Sequence, residues 1–189
     1  MVHKAITRKD FLHIAALGLG GLGLRYSGKL SYPQEFPPFE RLGRVCVGMV
    51  ELKSRPSIYS QTIGVLYEDA ILPWINERAA VEIDMNRIIQ RWVETPEGYI
   101  YSPYIQPVRN IPNIPVSQLF SLSIGDGMWA EVTVPYAEVI LNNSPSSNSW
   151  VSARVEQGLP IRVYYGQVFF VDRIETKDDG NTYYRVNPN

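Results

Sequence analysis

Histidine is nearly missing from this chain. Only His3 and His13 occur in 189 residues, and none lies beyond position 13. Residues 14–189 therefore cannot build a Ser-His-Asp or Cys-His catalytic centre, nor the usual histidine-bearing zinc sites. Cysteine is reduced to Cys46, which excludes an intrachain disulfide framework and any Cys-only metal site. Cys46 lies in Arg-Val-Cys-Val and reads as a buried strand residue, since free cysteine behaves as a small hydrophobe. A membrane-spanning run is lacking as well. Phe11–Leu24 is 14 residues long and holds four glycines, short of the roughly 20 apolar residues a spanning helix needs. Neither sign of charge dominates. Residues 1–24 carry three basic side chains against one acidic, so residues 25–189 carry a formal −3 within the chain's −1. Such a mild balance leaves no electrostatic footprint for nucleic acid.

What is present begins with an address. Thr7-Arg8-Lys9-Asp10-Phe11-Leu12 precedes the short apolar run, the layout of an export signal. It resembles a twin-arginine signal, with Thr7, Arg8, Phe11 and Leu12 in place, Lys9 at the second arginine and His13 at the final lysine. The resemblance implies an exported protein of the cell envelope or extracellular space, meeting the membrane only through residues 1–24. No cysteine follows the run to carry a lipid anchor, and no small-x-small cleavage site stands out after Leu24. A single cysteine fits a cargo folded before export.

Beyond the signal, residues 25–41 are rich in proline and aromatics (Tyr32-Pro33, Phe36-Pro37-Pro38) and read as an extended linker. Short strands then follow one another: 44–47, 50–53, 62–67, 70–75 with Pro73 at a sheet edge, 91–94 and 98–101. Residues 76–90 show no clean period, leaving either a short helical insertion or a long hairpin arm. Ser102–Ile105 reads as a tight turn. A second linker, 109–126, carries Pro112 and Pro115. After it come a strand at 129–134, a polar loop at 142–149, a hairpin of 159–165 with 167–171 around Gly166, and a hairpin closed by Lys177-Asp178-Asp179-Gly180-Asn181. Many short strands joined by Gly, Pro and Asn turns predict an all-β fold. The last strand runs straight into Asn187-Pro188-Asn189, which would leave an open edge, so the second β unit is expected to be incomplete.

Residues 42–108 resemble a bacterial SH3-like domain through four pieces in order: Leu52 with Ser54-Arg55-Pro56-Ser57, then Thr62-Ile63-Gly64-Val65-Leu66, then Arg91-Trp92-Val93, then Gly98–Ile105. Asp69 stands where a turn glycine is common, and 76–90 is a longer insert than usual. The resemblance implies small barrels, one at 42–108 and a second, incomplete one at 127–189, with Trp92 and Ile100 on the first barrel's inner face. The wider layout is similar to the N-terminal half of exported bacterial L,D-transpeptidases, through Arg41–Val45, Glu131–Tyr136, Arg162–Gly166 and Tyr183–Val186. That family's His…Ser-His-Gly-Cys catalytic motif is absent, so no catalytic residue, cofactor or metal ligand is assigned.

Binding remains. The aromatic set Trp74, Trp92, Tyr99, Tyr101 and Tyr104 is the candidate surface, because SH3-like folds bind extended peptides across aromatic grooves. Tyr99 and Tyr101 share a face opposite Ile100, so an inward Ile100 turns both tyrosines outward. The competing reading makes Trp92 and one tyrosine of each alternating pair part of the core. The candidate ligand residues are thus Tyr99, Tyr101, Tyr104 and Trp74. The expected function is a non-catalytic envelope module that binds peptidoglycan or its peptide stems, or an envelope protein, as the targeting part of an L,D-transpeptidase. Two alternatives stand beside it: a fragment of an active transpeptidase whose catalytic domain lies beyond Asn189, and a structural spacer or protein-interaction module. The acidic turn at 177–180 lacks the alternating oxygen ligands of a calcium loop, and no carboxylate pair is spaced for glycoside hydrolysis.

Overall fold

A strand that covers a core on one side needs apolar residues at every second position, and Met49–Lys53 meets that condition. Val50 and Leu52 are buried, while Met49 and Glu51 face solvent. The computed structural model describes residues 36–122, 125–141, 148–178 and 180–186. The signal residues Arg8, Lys9, Phe11 and Leu12 and most of the 25–41 linker lie outside the described residues.

The first β region holds β1 (Leu42–Val45), β2 (Met49–Lys53), β3 (Thr62–Tyr67), β4 (Ile71–Pro73), β5 (Asn76–Ala79), β6 (Arg91–Glu94), β7 (Tyr99–Tyr101) and β8 (Ile105–Val108), with a 3-10 turn at Ser102–Tyr104 before β8. They form two antiparallel sheets, ordered β4-β1-β8 and β3-β2-β7-β6-β5. Pro73 sits on the edge strand β4, where a missing amide costs no ladder bond. Between the sheets Val45, Val50, Leu52, Trp74, Val93, Ile100 and Ile105 form one core. Each such side chain contributes about 1.5–3 kcal/mol by leaving water. Gly98 closes the β6–β7 turn at a point where no side chain fits. A Cβ there would lie 2.6 Å from the Lys53 carbonyl oxygen, and the Thr95 hydroxyl holds both the amide and the carbonyl of Gly98.

Two expectations for this region change. Val93 pairs directly with Ile100, so Trp92 pairs with Tyr101 on the opposite face. Trp92 is buried, but beneath residues 80–90 rather than inside the sheet pair. Both faces of β6 are therefore covered, which strict alternation does not anticipate. Cys46 is exposed. Val45 takes the inward position at the end of β1, and Cys46 follows it outward. Of the two readings left open for residues 76–90, the structure has the hairpin arm: β5 pairs with β6.

The second β region holds β9 (Phe120–Leu122), β10 (Gly125–Glu131), β11 (Tyr136–Glu138), β12 (Arg162–Tyr164), β13 (Val168–Thr176) and β14 (Thr182–Val186), with the helix α1 (Ser149–Glu156). The sheets are β14-β13-β10-β9 and β11-β12, all antiparallel. β9 and the start of β10 occupy what reads as linker in the sequence. The chain does turn at Gly166 (φ +80°), with Gln167 N–H donating to the Tyr164 carbonyl at 3.0 Å. The strands on either side then part: β12 joins β11, while β13 joins β10 and β14. The Lys177–Asn181 turn closes the β13–β14 hairpin as the sequence indicates. The fold is all-β. Among the described residues no sheet closes into a barrel; β2 meets β7 through the single pair Lys53–Tyr99.

Among the described residues no ladder joins the two regions, yet these residues belong to one compact unit. A buried polar cluster makes the connection. Asp69, after β3, accepts from Arg44 of β1 through Oδ1 at 2.7 Å and from Arg162 of β12 through Oδ2 at 2.7 Å. Arg44 also donates to the Gln106 side chain at 2.9 and 3.1 Å, and its guanidinium lies 3.9 Å from the Tyr164 ring centre. Arg162 stacks over Tyr136 at 4.2 Å. Burial depresses the Arg162 guanidinium, but the Asp69 hydrogen bond and the charges of Tyr136, Asp69 and Glu138 outweigh it and raise its pKa overall. Burial, reinforced by the Asp69 charge, lifts the Tyr164 phenol above its ordinary value. Asp69 holds a left-handed backbone, φ +67°, which aspartate tolerates better than most residues.

Candidate ligand-binding surface

β7 and the 3-10 turn after it set out the three candidate tyrosines. With Ile100 fully buried, Tyr99 and Tyr101 occupy the other face, as alternation requires. Both are half-buried rather than free, because each is held by a neighbour. The Tyr99 hydroxyl donates to Glu94 Oε1 at 3.5 Å, and the other Glu94 oxygen accepts from Arg78 at 2.7 Å. That hydrogen bond holds the Arg78 pKa above its usual value. The Tyr101 hydroxyl donates to the Ile89 carbonyl at 2.9 Å.

The Tyr101 ring is the centre of the group. It meets Trp92 edge-on at 5.7 Å and Tyr104 edge-on at 5.2 Å, and the Arg87 guanidinium lies 4.2 Å from its centre. Tyr104 is exposed, carried outward by the turn that Pro103 starts. Edge-on aromatic pairs contribute about 0.5–1.5 kcal/mol beyond burial, so the arrangement is ordered before any ligand arrives.

Trp74 does not join them. It is 7% exposed and packs in the core between the sheets, with Arg41 stacked at 4.5 Å over its ring. Its indole N–H has no partner among the described residues. The structure thus brings Tyr99, Tyr101 and Tyr104 together with Trp92 beneath, and places Trp74 inside.

Shape limits what the surface can hold. The cavity lined by Ile58, Asp84, Arg87, Trp92 and Tyr101 is about 10 Å³, the space of one water. A small molecule normally occupies a pocket of roughly 300–1,000 Å³. The tyrosines therefore suit an extended ligand laid across them. A wide open cleft of about 620 Å³ lies between Arg41, Val108, Arg109 and Tyr165, and none of the three tyrosines lines it. Among the described residues no three His, Cys, Asp or Glu side chains are grouped to hold a metal ion.

Sequence reasoning missed two features. The Arg44–Asp69–Arg162 cluster had one signal, the acid at a glycine-type turn position. The second is the run Val81, Ile83, Met85 and Ile88, all exposed on the arm between β5 and β6; its signal was apolar residues without either regular period. Comparison with protein families, curated proteins and solved structures gives no match to this chain.

Proposed function

We propose that this chain is a non-catalytic module of the bacterial cell envelope, exported through its N-terminal signal, that binds the peptide stems of peptidoglycan along Tyr99, Tyr101 and Tyr104. In this reading 42–108 is an SH3-like unit, and the chain is the targeting part of an L,D-transpeptidase. The observation that carries it is the ordered aromatic row: three tyrosines on one side of β7 and its turn, two of them in edge contact and one exposed, beside a cavity of only about 10 Å³. Peptide recognition by such folds uses an aromatic-lined groove of this kind. The four sequence pieces shared with SH3-like domains supply the cell-wall context.

The test is co-sedimentation of the full chain with purified peptidoglycan sacculi. The wild type is retained, and Tyr104→Ala lowers retention about tenfold, the loss of about 1.4 kcal/mol of contact, with an unchanged circular dichroism spectrum. Absence of retention removes the binding reading. Retention unaffected by Tyr99→Ala and Tyr104→Ala together moves the row to a spacer role.

A further inference from the structure

The ladder between β1 and β8 ends at the pair Leu42–Val108. Glu40 and Arg41 enter β1 at this end, and Arg109 leaves β8 from it. Together with Pro107, Val108 and Tyr165 they line the open cleft of about 620 Å³. Its walls are held in place. Val108 is buried. The Arg41 carbonyl accepts the Trp74 amide at 3.0 Å, and the Arg41 guanidinium is committed to the Trp74 ring and, at 3.4 Å, to Glu77. The Gln106 side chain donates to the Tyr165 carbonyl at 3.3 Å, and the Tyr165 amide donates to the Pro135 carbonyl at 3.2 Å.

Three polar groups on this lining are unused. The Arg109 guanidinium, the Tyr165 hydroxyl and the Glu40 carboxylate have no hydrogen-bond or ion-pair partner among the described residues. Glu40 and Arg109 therefore face one concavity with opposite charges and stand too far apart to pair. A ligand that fits between them needs the inverse arrangement, an anion for Arg109 and a cation for Glu40. A guanidinium fork beside a phenol hydroxyl suits a carboxylate. The Glu40 charge in the same cleft opposes a purely anionic ligand such as phosphate. The volume lies in the range that small ligands occupy, and a short peptide with both termini free carries the two charges on one body.

We propose that this cleft binds a zwitterionic ligand, a short peptide with a free amino terminus and a free carboxylate. The carboxylate meets Arg109 and the Tyr165 hydroxyl, and the ammonium meets Glu40, while Arg41 serves as wall. The inference does not depend on the peptidoglycan reading, because none of Tyr99, Tyr101 and Tyr104 lines the cleft. The cleft is open to solvent, so its ion pairs are screened and each contributes little. The Kd is accordingly on the order of 1 mM.

The test is a nitrogen-15 NMR titration of the full chain with trialanine. The Val108, Arg109 and Tyr165 amides should shift and saturate. N-acetyl-trialanine lacks the ammonium and trialanine amide lacks the carboxylate, and each should bind about threefold more weakly or worse. Arg109→Gln should weaken trialanine by a similar factor and leave trialanine amide unchanged. Glu40→Gln should weaken trialanine and leave N-acetyl-trialanine unchanged. Both residues are exposed, so their replacement leaves folding intact, checked by circular dichroism. Shifts that do not saturate by about 20 mM trialanine overturn the proposal. So does N-acetyl-trialanine bound as tightly as trialanine, which would make the cleft a simple anion site, and so does trialanine binding that Arg109→Gln leaves unchanged.

Discussion

Replacing Asp69 by glycine sets two physical effects of opposite sign against each other. Glycine releases the left-handed backbone at φ +67°, a gain of at most about 1–2 kcal/mol. It also removes the carboxylate between two guanidinium groups. The side chains are 4% exposed for Asp69, 10% for Arg44 and 18% for Arg162, so the discount that applies to solvent-exposed pairs is small. Removing one partner of a buried pair costs about 3–5 kcal/mol, because the remaining charge stays desolvated. Here two cations remain, with partial compensation: Arg44 keeps Gln106 and Tyr164, and Arg162 keeps Glu138 and Tyr136. The charge effect wins, leaving a net loss of about 2–3 kcal/mol. For a unit of this size that lowers Tm by about 5–10 °C. Differential scanning calorimetry at neutral pH measures it. Asp69→Asn retains the tolerance of left-handed backbone and isolates the charge, so it should be no more stable than Asp69→Gly by more than about 1 kcal/mol. A Tm for Asp69→Gly equal to or above wild type refutes the reasoning, because backbone strain would then outweigh the ion cluster.

Gly98→Ala should cost about 3 kcal/mol in urea unfolding, since the new Cβ meets the backbone oxygen of Lys53. Gly127→Ala should cost only about 1 kcal/mol, because its obstacle is the Phe170 ring, which is half-buried and can swing aside. Asn148→Ala should lower stability by about 1 kcal/mol: the Asn148 side chain accepts the Trp150 and Val151 amides at the start of α1. Asp172 is held below the ordinary carboxylate range chiefly by its hydrogen bonds from Arg185. That contribution is present above the unfolded-state carboxylate pKa and disappears as pH falls through the lowered folded value. Carbon-13 titration should place Asp172 below the usual range, and Arg185→Gln should return it upward.

Strand positions were legible where a turn residue and an apolar alternation coincided. Gly98, Gly166 and the Lys177–Asn181 turn each mark a reversal that the structure contains, and the all-β class followed from them. Partner choice was not legible. Gly166 predicts a turn, but whether the flanking strands pair with one another depends on β11 and β10, whose competing edges lie far away in sequence. Trp92 illustrates a related limit. Its alternation is correct relative to Val93, but residues 80–90 bury the second face of β6, so hydrophobicity alone did not distinguish inner from outer face. Trp74 shows the reverse: an aromatic offered as a binding residue is a core residue. The helix α1 carries a readable cap in Asn148, set against a short segment without a buried face. Of the binding row, the shared face of Tyr99 and Tyr101 was readable from β period; their half-burial was not, since Glu94 and the Ile89 carbonyl reach them from other segments.

The Asp69 cluster also orders the history by which such a chain can change. Its two arginines share one acid, so the steps are not interchangeable. Losing Arg162 first leaves a balanced Arg44–Asp69 pair and frees Glu138, which is already half in solvent. Losing Asp69 first leaves two guanidinium groups without a buried counter-charge at once, Arg44 with the neutral Gln106 and Arg162 with the half-exposed Glu138. Descendants of this sequence should therefore shed Arg162 before Asp69, and a glycine at position 69 should be found in chains where position 162 is already uncharged.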